Sequence, residues 1–333
     1  MTATASARSA SGGLGESIGR WRGRNSWTLG LVGLFVLLLI VTRLLAPGYG
    51  AAQIEALAIS VLPVALAAVA QAIVVMSGGI DLSIGPMMAF TSVTAAVLMK
   101  GQSDAFAVAV VVGVLLMGVA LGFINGALVV LTRVPDIVVT LAMSFVWAGA
   151  ALLVINTPGG GAADWLKAVI DGTIVSDWIP RALVVLLLVV GLVWIPILRS
   201  PLGVSLYAIG SDRLAAFRSG VGVGPTKVAA YVVTGFFAAA GGLALTMSTG
   251  IGTPVPGPYT LQSVAAIVLG GVSLAGGRGG LTGPIIAVFI LALVRTDLTF
   301  IGVNPNLSTA VQGAILVGVV MFGAVTAYRR KRR

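Results

Sequence analysis

The sequence contains no cysteine, no histidine and few charged residues. Without cysteine, disulfides, thiolate metal sites and cysteine nucleophiles are excluded. Without histidine, Ser-His-Asp triads, HExxH zinc sites and the usual proton shuttle at neutral pH are excluded as well. A Walker-type phosphate loop is also missing, because Pro225 in the nearest run, 220–227, lacks an N–H for a phosphate. Any nucleotide must therefore bind to another chain, and we expect no metal and no cofactor in this one.

The composition is that of a membrane protein. Of the 333 residues, 58% are hydrophobic and only 9% are charged, whereas about 25% are charged in an ordinary soluble domain. A soluble core cannot hide this much apolar surface. We therefore predict an all-α polytopic membrane protein.

The apolar residues fall into runs that charges, glycines or prolines separate. Since a full crossing needs about 20 residues, the runs predict about ten transmembrane helices, of which 84–99, 261–274 and 281–294 are short. The first run is long for a signal peptide and is interpreted as an uncleaved span. The predicted spans are 28–46, 57–76, 84–99, 105–131, 137–155, 182–198, 228–247, 261–274, 281–294 and 307–327.

The basic residues predict the orientation. With the N-terminus inside, 15 of the 20 Lys and Arg residues lie on the inner side, which agrees with the positive-inside rule and places both termini in the cytosol. The net charge of +10 therefore reflects membrane topology and not nucleic-acid binding, since no basic helix with interleaved aromatics occurs. We divide the chain into a disordered basic tail at 1–26, a transmembrane domain at 27–327 and a basic tail at 328–333.

An unusual segment, 77–85, joins the second and third predicted spans. Gly78 and Gly79 allow backbone conformations that are closed to other residues, and Asp81 with Ser83 offers a helix N-cap. The segment is either a tight turn that caps the third span or irregular backbone that borders a polar pathway, the setting in which such backbone is tolerated in a bilayer. A weaker echo occurs at 276–284, and internal repeats are common in transporters.

Small and polar residues mark helix faces that should avoid lipid. Gly118, Gly122 and Gly126 form a stripe that lets another helix approach closely. Uncharged amides in apolar spans are expensive in lipid and should face the interior, where they bond helices together or serve a neutral hydroxylated solute. These amides are Gln71, Asn125, Gln262 and Gln312. The candidates for a translocation pathway are Gly78, Gly79, Asp81, Ser83, Asn125 and Gln71.

The long inner loop contains a candidate helix within 207–221. Ser211 or Asp212 would cap it and Gly220 would end it. Its small and apolar residues suit docking into a groove of a soluble partner, or else the helix lies on the lipid surface with its arginines at headgroups. These small and apolar residues are Leu214, Ala215, Ala216 and Phe217.

Several motifs resemble those of a known transporter family. The run Leu-Ala-Ala-x3-Gly at 214–220 resembles the Glu-Ala-Ala-x3-Gly coupling motif of ABC importer permeases, although Leu214 stands where an acidic residue is usual. The sequence Gly-Gly-Ile-Asp-Leu-Ser at 78–83 is similar to the signature of ribose-type monosaccharide permeases, within the branched-chain amino-acid/ribose permease superfamily. So are the runs at 125–129, 134–141 and 210–220, and the resemblance covers about 50–325.

The resemblance implies a ten-span permease subunit in a bacterial plasma (inner) membrane. It would work as a homo- or heterodimer with two cytosolic ATPase domains, which bind ATP-Mg, and with an extracytoplasmic sugar-binding protein. The chain would not be an enzyme, and lipid but no nucleic acid would contact it. A cytosolic coupling helix between spans 6 and 7 would transmit the motion of the ATPase through Gly210, Ser211, Asp212, Arg213, Ala215, Ala216, Ser219 and Gly220.

Two alternatives belong to other substrates or classes. Within ABC importers, the solute is another small molecule, such as a branched-chain amino acid or an autoinducer-like compound. An ion-coupled secondary transporter usually needs a carboxylate near the middle of the membrane. The carboxylates nearest to the spans all fall near span ends, which argues against that class, and they are Glu55, Asp81, Asp136 and Asp297.

Overall fold

The computed structural model describes residues 26–304 except 256, together with eight isolated positions between 307 and 321. The part described is helical apart from one antiparallel hairpin, β1 (Thr173–Ile174) and β2 (Ser176–Pro180). The helices are α1 (Ser26–Leu45), α2 (Ala51–Met76), α3 (Ile84–Met99), α4 (Asp104–Thr132), α5 (Asp136–Val154), α6 (Asp164–Ala168), α7 (Arg181–Leu198), α8 (Pro201–Ser211), α9 (Arg213–Arg218), α10 (Val223–Thr249), α11 (Tyr259–Leu269) and α12 (Thr282–Phe300).

Seven of the helices in the described residues are long and apolar enough to cross a membrane, by length and composition. They are α1, α2, α4, α5, α7, α10 and α12. The helices α3 and α11 are apolar but shorter. The protein is therefore a multi-pass membrane protein. The predicted span 307–327 and the two tails lie mainly outside the described residues.

Most predicted span boundaries are confirmed to within a few residues, and four are wrong by five or six. Two helices begin earlier than predicted, α2 at Ala51 and not at 57, and α10 at Val223 and not at 228. The span predicted at 261–274 ends at Leu269, because Gly271, Gly276, Gly277 and Gly279 adopt positive φ angles that break the helix. The span predicted at 281–294 continues to Phe300. Its last turn accommodates Asp297, whose carboxylate accepts a hydrogen bond of 2.6 Å from the Thr42 hydroxyl on α1.

The helices α2 and α10 form the centre of the bundle. Most of the apolar window in each is buried inside the chain, whereas less than a quarter of the window is buried in α1, α5 and α7. Helices that are hydrophobic all round belong either in a core or in lipid. The central pair therefore makes the core, and α1, α5 and α7 present their apolar faces outward.

The glycine stripe on α4 brings that helix into close contact with α10. A Cβ atom at Gly118 would lie 2.5 Å from the carbonyl oxygen of Gly235, and one at Gly126 would lie 2.9 Å from the Cα of Val228. Gly122 approaches the backbone of Tyr231 even more closely. The predicted close approach is confirmed, and α10 is the partner.

The loops gather at two opposite ends of the bundle. At one end, the N–H of Gly277 donates to the carbonyl of Met76 over 3.0 Å, and the indole of Trp27 donates to the carbonyl of Leu269. At the other end, the 157–163 loop bonds to Ala96, Gly250 and Gly252. Spans that alternate in direction predict this arrangement, in which successive loops lie at opposite ends of the bundle. The cytosolic assignment of the first end stays a prediction from charge.

Candidate functional site

The segment predicted as a coupling helix, 205–221, forms two helices instead of one. The chain breaks at Asp212, whose extended φ of −158° ends α8 and begins α9. The Asp212 carboxylate accepts hydrogen bonds of 2.9 Å from the N–H groups of Leu214 and Ala215. Asp212 is thus the N-cap, and Gly220, with a φ of +85°, closes the far end as predicted.

The exposed face of α9 differs from the one predicted. Ala216 is buried against the chain itself, so it is wrong to place it on an outer docking surface. Leu214 and Phe217 are 58% and 67% exposed, and Ala215 is exposed between them. Large apolar groups open to solvent at one end of a membrane protein mark an interaction surface. We call the exposed residues Leu214, Ala215, Phe217 and Arg218 the α9 face.

Gly210 and Ser211 belong to α8 and not to the α9 face. A Cβ atom at Gly276 would lie 2.7 Å from the carbonyl oxygen of Gly210 and 2.9 Å from the Cα of Gly78. We call this contact of Gly78, Gly210 and Gly276 the glycine junction. It joins the segment before α9 to the turn after α2 and to the loop after α11. In the sequence, the signal for it was the echo of paired glycines at 276–284.

The turn after α2 is stabilised by its own carboxylate. Gly78 has a φ of +78°, which glycine adopts readily. The Asp81 carboxylate accepts hydrogen bonds from the Ser83 N–H (2.8 Å) and the Ser83 hydroxyl (2.6 Å). Asp81 and Ser83 therefore bond to each other within the turn, and Ser83, although it is the N-cap residue of α3, makes no side-chain cap bond. The prediction that Asp81 and Ser83 cap α3 is therefore wrong for the side chain of Ser83, which makes no capping bond.

Two threonines from other helices complete the N-terminus of α3. The Leu82 N–H donates to the Thr140 hydroxyl on α5 over 3.1 Å, and the Gly85 N–H donates to the Thr260 hydroxyl on α11 over 2.9 Å. The first N–H groups of a helix lack partners within the helix and need them when they are buried. The start of α3 is thus attached to α5 and α11, and the local sequence carries no sign of this.

A chain of buried polar side chains runs inward from this turn. The Asn125 amide donates to the Ser83 hydroxyl over 2.7 Å, and the Trp147 indole donates to the Asn125 carbonyl oxygen over 3.2 Å. The Trp147 ring stacks on Phe90 with 6.3 Å between centroids. The prediction that Asn125 faces the interior is confirmed, and Trp147 was missed. We call Asp81, Ser83, Asn125 and Trp147 the polar chain.

The other predicted amides have different environments. Gln71 is fully buried in α2, and neither its oxygen nor its nitrogen has a hydrogen-bond partner among the described residues. Its interior placement is confirmed. Gln262 is half-buried on α11, and Gln312 lies outside the described residues.

A buried ion pair lies beside the same turn. Lys227 of α10 contacts both carboxylate oxygens of Asp136 at the start of α5, each at 2.8 Å. The Tyr231 hydroxyl donates to the same carboxylate over 2.8 Å. The side chains of Lys227 and Asp136 are 8% and 15% exposed. Gly79 allows this packing, because a Cβ atom there would collide with the Asp136 carboxylate.

The remaining carboxylates support the expected absence of a mid-membrane acid in the described spans. Glu55 in the first turns of α2 accepts a hydrogen bond of 2.6 Å from the Gly172 N–H, and Asp297 lies in the last turn of α12. Asp164 in the outer loop pairs with Lys167 at 2.7 Å, and the hydrogen bond from that lysine holds the pKa of Asp164 below its ordinary value. Asp81 alone is fully buried, in the turn between α2 and α3.

Comparison with known proteins agrees with this architecture. The family model for the permease component of the branched-chain amino acid transport system matches residues 53–320. The ribose import permease protein RbsC of Haemophilus influenzae is 29% identical over 77% of this chain and 80% of its own length. The autoinducer 2 import system permease protein LsrD of Escherichia coli K12 is 28% identical over 78% of this chain and 79% of its own length. No solved structure matches. The chain belongs to the family of permease components of the branched-chain amino acid transport system.

Proposed function

We propose that this chain is the membrane permease subunit of an ABC importer for a monosaccharide of the ribose, xylose, arabinose or galactose type. The single observation that carries the proposal is the match of most of the chain to a permease family whose similar members include a ribose permease and an autoinducer 2 permease. The autoinducer relative makes a small autoinducer-like solute the second candidate. A branched-chain amino acid, which the family description names, is the third.

The proposal includes about ten spans with both termini in the cytosol of a bacterium, in its plasma membrane. Seven long helices, the shorter α3 and α11 and the apolar run at 307–327 together supply that number. Two such chains, identical or different, would form the pathway between them. A cytosolic ABC ATPase would bind ATP-Mg, and an extracytoplasmic binding protein would deliver the sugar.

The α9 face is the surface that we propose for the ATPase. It combines a capped helix, exposed apolar side chains and a position at the end that the charges assign to the cytosol. The glycine junction places α8, directly before α9, in backbone contact with the turn that starts α3. A displacement of α9 would therefore reach the turn that starts α3 through backbone contacts, and would pass from there to α5 through the side chains of the polar chain.

The polar chain is the region that we propose to border the translocation route. Gly78, Gly79 and Asp81 shape the turn, and Ser83 and Asn125 bond it to Trp147 on α5. These hydrogen bonds fix α3, α4 and α5 beside the route, and the second carboxylate oxygen of Asp81 is buried without a hydrogen-bond partner among the described residues. Gln71, which is buried with both amide atoms unpaired, is the remaining candidate on this route.

An uptake assay tests the proposed function. The chain is expressed with the ATPase and the binding protein that the proposal assigns to it, in cells that lack their own importers for these solutes. We expect saturable uptake of radiolabelled D-ribose or a related pentose or hexose, and stimulation of ATP hydrolysis by the sugar-loaded binding protein. Uptake of labelled leucine or autoinducer 2 alone would replace the monosaccharide with that solute. Uptake that follows an ion gradient without ATP hydrolysis would refute the ABC mechanism.

The role of the α9 face is tested by Phe217→Asp, which puts a charge on the exposed surface without disturbing the core. An unpaired charge in a desolvated contact costs several kcal/mol, by analogy with broken buried pairs of about 3–5 kcal/mol. We expect the ATPase to stop co-eluting with the permease. Val204→Asp on α8, which is equally exposed, is the matched control and should leave co-elution intact. Co-elution of the Phe217 variant at the wild-type level would contradict the assignment.

A further inference from the structure

The outer loop carries a hairpin, β1–β2, whose apolar side chains are exposed in the described part of the chain. Val175 at its tip is 99% exposed and Trp178 on β2 is 61% exposed. The neighbouring residues Ile174 and Ile179 are exposed as well. We call these four exposed apolar residues within six positions the hairpin patch, and exposed apolar clusters mark interaction sites. The function proposed above does not use this patch.

The backbone of the hairpin holds the patch outward. Ile174 pairs with Ser176, so Val175 alone makes the turn, with a φ of +64°. A β-branched residue in this region is a genuine outlier, and glycine or asparagine would fit it more easily. Val175 therefore places an apolar side chain at the tip, although the backbone conformation there favours glycine or asparagine.

The depth of the hairpin follows from the helix that it precedes. β2 ends at Pro180 and α7 begins at Arg181. The 18 residues of α7 span about 27 Å at about 1.5 Å per residue, slightly less than a hydrocarbon core of about 30 Å. The outer end of α7 must then lie at the edge of the hydrocarbon. The hairpin therefore lies at the level of the lipid headgroups.

The hairpin is attached to the bundle at its base, which leaves the tip free. The Gly172 N–H donates to Glu55, and the Arg181 N–H donates to the Gly172 carbonyl over 3.0 Å. The helix α7, which follows the hairpin directly, exposes Leu187, Leu188 and Leu192 and so presents an apolar surface to lipid.

We propose that the hairpin is a lipid-interface anchor, in which Val175 and Trp178 insert into the headgroup layer of the outer leaflet. Tryptophan is enriched at this level because its ring is apolar and its N–H is polar. The phospholipid interface is the occupant that fits, since the hairpin leads directly into α7 at the edge of the hydrocarbon, and α7 exposes leucines to lipid. The anchor would fix the outer end of α7 and the loop 156–180 against the membrane, independently of the solute.

The absence of cysteine from the chain makes a direct test possible. Val175→Cys is labelled with an environment-sensitive fluorophore, and the full chain is reconstituted in vesicles of phosphatidylethanolamine and phosphatidylglycerol. Quenching by aqueous iodide is compared with quenching by a nitroxide placed on the lipid headgroup or high on the acyl chain. Leu192→Cys on α7 calibrates lipid contact, and Asp164→Cys, with an exposed side chain in the same loop, calibrates water.

We expect the label at 175 to emit at shorter wavelength than the label at 164, to be quenched by the lipid nitroxides and to be several-fold less sensitive to iodide. Strong iodide quenching without lipid quenching would overturn the proposal and leave the hairpin free for a soluble partner. Protection from both quenchers would also overturn it, since protein would then cover the tip. As a second measurement, Val175→Asn, which suits the positive φ, should keep the fold but lengthen the emission wavelength of a label on Ile179→Cys, with Trp178 intact.

Discussion

Removal of one partner from the ion pair between Asp136 and Lys227 should destabilise the permease strongly. Both side chains are almost fully enclosed, and the two charges are 2.8 Å apart. Lys227→Met leaves the Asp136 carboxylate with only the Tyr231 hydroxyl. Breaking a buried pair costs about 3–5 kcal/mol. Because a small part of the pair reaches solvent, we expect the lower end, about 3 kcal/mol.

Removal of both charges should restore most of that loss. The double variant Asp136→Asn with Lys227→Met replaces the pair by neutral groups of similar size, and buried pairs replaced in this way are often neutral in stability. The two single changes should therefore be strongly non-additive, because the double variant should lose less stability than either single variant. Lys227→Arg, which keeps the charge, is the conservative control.

Equilibrium unfolding in mixed detergent micelles measures these free energies for the four proteins of the cycle. An intact pair predicts two unstable single variants and a double variant close to wild type. Additive losses would show that Asp136 and Lys227 do not interact in the folded protein. Single variants as stable as the wild type would show that the pair is open to solvent, and the packing of α5 on α10 would have to be revised.

Three further outcomes follow from the packing and the topology. Gly122→Leu should prevent α4 from packing on α10, because the position touches the backbone of Tyr231, and size-exclusion profiles should show aggregation. Gly113→Leu, at an open position on the same helix, is the control and should behave as wild type. Ser176→Cys should react with an impermeant maleimide on intact cells and Ser211→Cys only after lysis; labelling of Ser211 from outside would reverse the orientation. Gly79→Leu should abolish folding or uptake, since its side chain must displace Asp136, and a variant with normal uptake would show that the turn is looser than described.

The hydrophobic runs predicted the helices well because charges, glycines and prolines bound them closely. α3 has the predicted limits, 84–99, and α4 and α7 each begin one residue before the predicted start. In a membrane, the cost of burying a charge fixes such limits locally. The prediction ended α12 too early, because charged residues such as Arg295 and Asp297 are typical of the end of a transmembrane span. The bond from Thr42, 255 residues away in the sequence, makes that carboxylate acceptable inside the helix.

The candidate site could be predicted only where its residues interact locally. The Asp212 cap and the Gly220 stop depend on neighbours in sequence, and both were found. The contacts that hold the site together are distant: Lys227 lies 91 residues from Asp136, and Thr260 lies 175 residues from Gly85. The burial of Ala216 also depends on which side of a short helix meets the bundle. No local pattern contains that information.

The glycine junction connects α8 to the turn before α3 through backbone atoms, with no side chain between them. A contact between side chains can absorb a displacement by rotation about χ angles, but Gly78, Gly210 and Gly276 have no side chains to rotate. Their backbones meet directly, and neither Gly210 nor Gly276 has room for a Cβ atom. Closely packed interiors transmit strain instead of dissipating it. A small shift of α8 should therefore displace the turn after Met76, and with it the start of α3, by nearly the same distance.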